Sequence, residues 1–174
     1  MNGDMKNLVF SLGLVFLAVG ERLWFDLGPN VELIMTTSII ASIYLGRRWG
    51  IVVAWLSLMI SDAVIGNTLI MVFTWSAFGL IAWVGKWLKN KSGVFAVGYG
   101  LAAALFFYFY TNFGVWLISG MYSHNLSGLI ECYIMGLPFL KLHAVSSALL
   151  LTGGLTALKW FGQLRWKPGT VPQL

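Results

Sequence analysis

The sequence predicts an all-α, polytopic membrane protein, a bundle of six transmembrane helices, and three observations carry that expectation. Of 174 residues, 59% are hydrophobic and only 10% are charged. An ordinary soluble domain is about 25% charged, so lipid must be the main solvent. Charged or Gly/Pro-marked breaks cut the chain into six apolar lengths, each near the ~20 residues that a spanning helix needs. Aromatic residues make up 16% of the chain and include nine tryptophans, which suits a protein whose indole rings settle at the two membrane interfaces.

Helix one is expected over residues 7–25. Glu21-Arg22 follow its apolar run where a signal peptide would carry small residues for cleavage, so it reads as a retained helix with Met1 as the start of the mature chain. Helix two is expected over 29–46: Pro29 suits a first helical turn, whose N–H has no intrahelical partner, and Gly46 closes it. Helices three to five are expected at 49–66, 68–88 and 93–118. Helix six is expected at 136–161. The connection from Ser119 to Met135 is long enough to carry structure, and Leu126, Leu129, Ile130 and Tyr133 recur in it at helical spacing. It is expected to lie on the outer surface as a lid. With no repeat, low-complexity tract or linker, residues 1–174 read as one domain.

The formal net charge of +5 would suggest nucleic acid in a soluble protein, but here the cations report topology. Arg47 and Arg48, then Lys86, Lys89 and Lys91, then Lys159, Arg165 and Lys167 all fall on one side. By the positive-inside rule that side, with both termini, is cytoplasmic. Trp49, Trp87 and Trp160 then mark the inner interface and Trp24 and Trp116 the outer one. Nucleic acid is not an expected partner; the lipid bilayer is.

Depth sorts the polar residues, at about 1.5 Å per helical residue. Asp62 lies about 21 Å above Arg48, in the outer third of helix three. Glu32 opens helix two from outside, Thr111 and Asn112 stand near the outer end of helix five, and Lys141 and His143 follow Pro138. An intramembrane Asp costs about 2.5–3.5 kcal/mol at a helix centre and should face the interior or a wet cavity. Asp62 is either a ligand contact or a hydrogen-bond partner of Ser61, Thr36 or Ser38. Glu32 serves a ligand or the macrodipole of its own helix. Lys141 either snorkels outward or meets an anionic group, and His143 is either a neutral core residue or a ligand contact. His124 reads as a solvated loop residue.

Tyr108, Asn112 and Trp116 are spaced by four and share one helix face. They can stack on a flat ring while Asn112 bonds its edge, or they can meet lipid. The small residues Thr36, Thr37, Ser38, Ala41 and Ser42 point to close helix packing.

No HExxH, P-loop, GxSxG or dinucleotide motif occurs, so neither an enzyme nor a cofactor is expected. Cys132 has no cysteine partner, and its nearness to His124 and Glu131 fixes no metal site or nucleophile. Active transport would require a partner that hydrolyses ATP.

The stretches Gly28-Pro29-Asn30-Val31-Glu32-Leu33, Tyr44-Leu45-Gly46-Arg47-Arg48, Ile60-Ser61-Asp62 and Thr111-Asn112-Phe113-Gly114-Val115-Trp116 are distinctive. So are Gly128-Leu129-Ile130-Glu131-Cys132-Tyr133 and Gly136-Leu137-Pro138-Phe139. Over residues 25–155 the chain resembles a family of uncharacterised six-helix bacterial membrane proteins related to the substrate-binding components of energy-coupling-factor (ECF) transporters. That resemblance implies an S-component-like subunit in the bacterial inner membrane. It would capture a vitamin-like or metal-related small molecule and dock on a membrane coupling protein driven by ATPase subunits. The Ala-x-x-x-Ala docking pattern of many such subunits is absent, Ala18 being the one alanine between Leu8 and Val19, so a solitary relative is the other form.

The expected site lies among the outer ends of helices two, three, five and six. Asp62 and Glu131 would accept hydrogen bonds or pair a cation, Asn112 would orient the ligand and Trp116 would stack on it, with Glu32, Tyr108, Lys141 and His143 nearby. The rival is a non-transporting scaffold subunit of a cell-envelope complex.

Overall fold

The shortest helix of this chain bears Thr36, Thr37, Ser38 and Ser42, and it is the helix that its neighbours enclose. The computed structural model describes residues 3–25, 27–28 and 31–165, which form six helices. Helix α1 (Gly3–Gly20) continues through a π-helical turn at Glu21–Phe25. Then come α2 (Leu33–Leu45), α3 (Arg47–Ile65), α4 (Met71–Gly85, ending in a 3-10 turn at Lys86–Leu88), α5 (Gly93–Ile118) and α6 (Leu126–Arg165). Five helical stretches are long and apolar enough to cross a membrane, all but α2. The 13 residues of α2 reach about 20 Å, short of the ~30 Å hydrocarbon core.

Ten consecutive residues of α2, Ile34 to Ile43, are buried, because α1, α3, α4 and α6 all pack against it. Its small side chains let them approach closely. Hydroxyls cost little there when bonded: Thr37 Oγ1 donates to Leu33 O at 2.9 Å, Ser38 Oγ to Met35 O at 3.0 Å, and Ser42 Oγ to the α4 carbonyl of Ala82. Ile34, Met35 and Ile39 meet Leu58, Phe78 and Leu151 in the main core. The link from α2 to α3 is Gly46 alone, at φ 107°, a conformation that side-chain-bearing residues rarely adopt.

Helix α5 has the expected bounds, and two other expectations are corrected. Helix two does not begin at 29: it starts at Leu33, and Glu32 before it is extended at φ −126°, ψ 123°. Pro29 lies outside the described residues, as do Asp26, Asn30 and Lys167. Helix six does not begin at 136 but at Leu126, so the lid is no separate loop and the connection shrinks to 119–125. The helical spacing from Leu126 to Tyr133 is therefore real helix. Pro138 sits inside α6; in a membrane bundle, neighbouring groups take up the backbone positions that a proline frees.

The basic turns lie together at one end of the bundle. Arg47, Arg48 and Lys86 line one cavity of about 650 Å³ there. Lys89, Lys91 and Lys159 line another of about 600 Å³. Helix α4 packs against both α3 and α5 and lies between them, so the far end of the bundle is divided into two regions.

Candidate functional site

On the α3 side of α4, Asp62 is the centre of a charged knot. It lies about 22 Å along α3 from Arg47, with its side chain only 8% exposed. Its partner is neither serine nor threonine: Arg22 Nη2 donates to Oδ1 at 2.9 Å. Trp75 Nε1 donates to Oδ2 at 2.8 Å, and Asn67 Nδ2 also donates to Oδ2. Charge-assisted bonds of this kind are the strong ones, which is how a carboxylate stays buried. Arg22 Nη1 also faces Glu32 Oε1 at 3.8 Å.

The knot grows from the end of α1, where Glu21 and Arg22 open the π-helical turn. Glu21 is 4% exposed and accepts the backbone N–H of Leu33 at 3.2 Å. A carboxylate from α1 thus satisfies the N-terminus of α2 and meets its macrodipole. Glu32, the residue before α2, makes no side-chain cap. Two carboxylates, of Asp62 and Glu32, face one guanidinium, and Glu32 Oε2 and Arg22 Nε are buried with no protein partner among the described residues.

On the α5 side a different arrangement stands at the same depth. A cavity of about 150 Å³ is lined by Phe107, Tyr108, Thr111, Asn112, Phe139, Leu140 and His143. Three expected site residues, Tyr108, Asn112 and His143, are therefore brought together. Gly136 makes the approach of α6 possible here, since a Cβ would lie 2.7 Å from Asn112 Oδ1 and 2.9 Å from Tyr108 Cε2. Asn112 Nδ2 donates to Tyr108 O at 2.8 Å, leaving its second amide hydrogen and its carbonyl Oδ1. The Cys132 thiol donates to Asn112 O at 3.3 Å, with Oδ1 at 4.0 Å, and Tyr108 OH donates to Tyr133 O. His143 is buried and stacks on Phe107, ring centroids 5.1 Å apart.

The remaining expected residues lie elsewhere. Trp116 Nε1 donates to Ser123 O at 2.9 Å and its ring meets His124 edge-on at 5.6 Å, so it fastens the α5–α6 turn. Glu131 and Lys141 are exposed and line neither the cavity nor the knot. Asp62 and Glu32 belong to the knot. The eight residues thus do not form one pocket.

Residues that sequence reasoning passed over as site residues are Glu21, Arg22, Asn67 and Trp75 around Asp62, and Phe107 and Phe139 at the cavity, where Thr111 stands beside Asn112 as expected. A signal for Arg22 existed. A membrane-buried carboxylate calls for a cation at its own depth, and Arg22 and Lys141 are the candidates in the half away from the basic turns. Among the described residues no group of three or more His, Cys, Asp and Glu is arranged to hold a metal ion.

Comparison with known proteins returns no curated protein and no solved structure that matches. One family model does match, over residues 3–167, and the chain belongs to that family, a family of unknown function designated DUF6580.

Proposed function

We propose that this protein is a membrane-embedded substrate-binding subunit that takes up a small molecule at the α5–α6 cavity from the non-basic side of the bilayer. The observation that carries the reading is the cavity lining: three aromatic rings with Asn112, Thr111 and His143 between them. Apolar walls with a few polar groups are what a small-molecule site requires. At about 150 Å³ the space holds roughly five water volumes. That suits a compact ring with a hydrogen-bonding edge, read by Asn112 and stacked on Phe107 or Tyr108. A whole vitamin would require the α5–α6 seam to open.

The resemblance to ECF S components supports the same reading and supplies an energy source that this chain lacks, a coupling protein with ATPase subunits. Without an Ala-x-x-x-Ala docking pattern in α1, a solitary relative is the other form of the proposal. The basic end, by the positive-inside argument, faces the cytoplasm of a bacterium and carries both termini.

The test is native mass spectrometry of protein gently extracted from its own host, recording retained small molecules and co-extracted subunits. The expected outcome is a compact ligand held by the wild type and by Asp62→Asn but lost in Asn112→Ala. An empty protein locked to envelope subunits would instead support the scaffold, a reading favoured by the saturation of Asp62 with protein partners.

A further inference from the structure

Three spaces adjoin one another, from the basic end where α2, α6 and the turn before α5 meet to the outside of α4 and α5. The first, about 600 Å³, is rimmed by Lys89, Lys91 and Lys159. The second, about 360 Å³, shares Leu88 and Lys91 with it and continues past Val94, Phe95 and Gly98. The third, about 340 Å³, shares Tyr99 with the second and ends at Phe106. Adjoining through these shared side chains, the three make a stepped groove, cationic at its mouth and apolar beyond.

The two parts differ sharply in chemistry. None of the three lysines pairs with a carboxylate among the described residues, and the Lys91 ammonium lies 5.5 Å above the Phe95 ring. Beyond the mouth the walls are hydrocarbon. The one hydroxyl beyond the mouth, of Tyr99, is turned away to the Ile81 carbonyl at 2.5 Å. At Gly98 an added Cβ would meet nothing within 4 Å, so the floor is open there. From Val94 to Phe106 α5 rises about 18 Å, close to the ~15 Å hydrocarbon depth of one leaflet.

We infer that this groove holds an anionic phospholipid, its phosphate at the Lys89, Lys91 and Lys159 rim and one acyl chain along α5 past Gly98. Basic pockets between helices at a membrane interface select anionic head groups, and here the apolar extension supplies a seat for the tail. A second copy of the chain fits less well, because a parallel two-fold pairing through this face would bring two lysine rims together.

The experiment uses the full chain in mild detergent, offered phosphatidylglycerol and phosphatidylcholine of identical acyl composition, with bound lipid read by native mass spectrometry. Phosphatidylglycerol should be retained preferentially, and Lys91→Ala and Lys159→Ala should each weaken its retention about fivefold. Gly98→Leu, placed where no protein atom is displaced, should lower retention of both lipids. Equal retention of the two lipids, or no change in the doubly substituted lysine variant, would overturn the inference. So would complete displacement by inorganic phosphate, which would mark an anion site without a tail seat. A dimer that Gly98→Leu dissociates with lipid content unchanged would assign the face to a second copy and overturn it equally.

Discussion

The knot around Asp62 and the cavity beside Asn112 stand at one level and solve the same problem in opposite ways. The level is shared because one turn of α4 reaches both: Trp75 bonds Asp62, while Ser76 Oγ bonds the hydroxyl of Tyr110, which lies between Tyr108 and Asn112 on α5. In the knot, Asp62 is saturated by Arg22, Trp75 and Asn67. At the cavity, Thr111 and Asn112 are tied back to their own helix, Tyr108 bonds across to α6, and the space between them stays open. A strong charge in lipid therefore marks helix association here, and weaker polar groups among aromatics mark the candidate for capture.

The comparison breaks first at Arg22. Arg22→Leu leaves Asp62 buried without its cation and should cost about 3–5 kcal/mol, read as a lower Tm in detergent. Adding Asp62→Leu should restore much of that loss. If the single variant melts like the wild type, the knot holds nothing together. Trp75→Phe removes one bond to a charged acceptor and should cost about 1.5–3 kcal/mol, again with ligand retention unchanged.

Gly136→Ala tests the other region, since its methyl group must push against Asn112 and Tyr108. A loss of about 1–3 kcal/mol is expected, together with loss of ligand, because the cavity walls shift. Asn112→Ala sharpens the contrast further: retention of a compact ligand should fall while Tm moves by about 1 kcal/mol or less of stability. Smallest of all, Glu131→Gln and Lys141→Gln should stay within about 0.5 kcal/mol with ligand retained, as exposed positions outside both regions. A large effect on ligand at either residue would move the site toward the exposed face of α6.

Much of the architecture was legible in the sequence, because helix count and hydrophobic spacing are local properties. The bounds of α5 follow from its uninterrupted apolar run between Lys91-Ser92 and Ser119-Gly120. In the sequence Pro138 reads as a break that shortens helix six, although Leu126, Leu129, Ile130 and Tyr133 already carry helical spacing; membrane neighbours decide whether a proline ends a helix. Helix two reads as a span by hydropathy, and only packing reveals it as an enclosed core element. At the candidate site, depth alone grouped Asp62 with Asn112. Depth says nothing about which side of α4 a residue occupies, and the 40-residue separation of Arg22 from Asp62 hides their pairing from any local pattern.

The enclosure of α2 has a consequence for how the protein is made. A 13-residue helix bearing Thr36, Thr37, Ser38 and Ser42 is too short to persist alone in a bilayer. Part of its wall is α6, whose Gly154 lies against Thr36 and Ile40. Of the four helices that enclose it, α6 is made after the other three. An early segment must therefore wait, half covered by α1, α3 and α4, until α6 is threaded into the membrane, so a chain truncated before Leu126 presents hydroxyl-bearing helix to lipid.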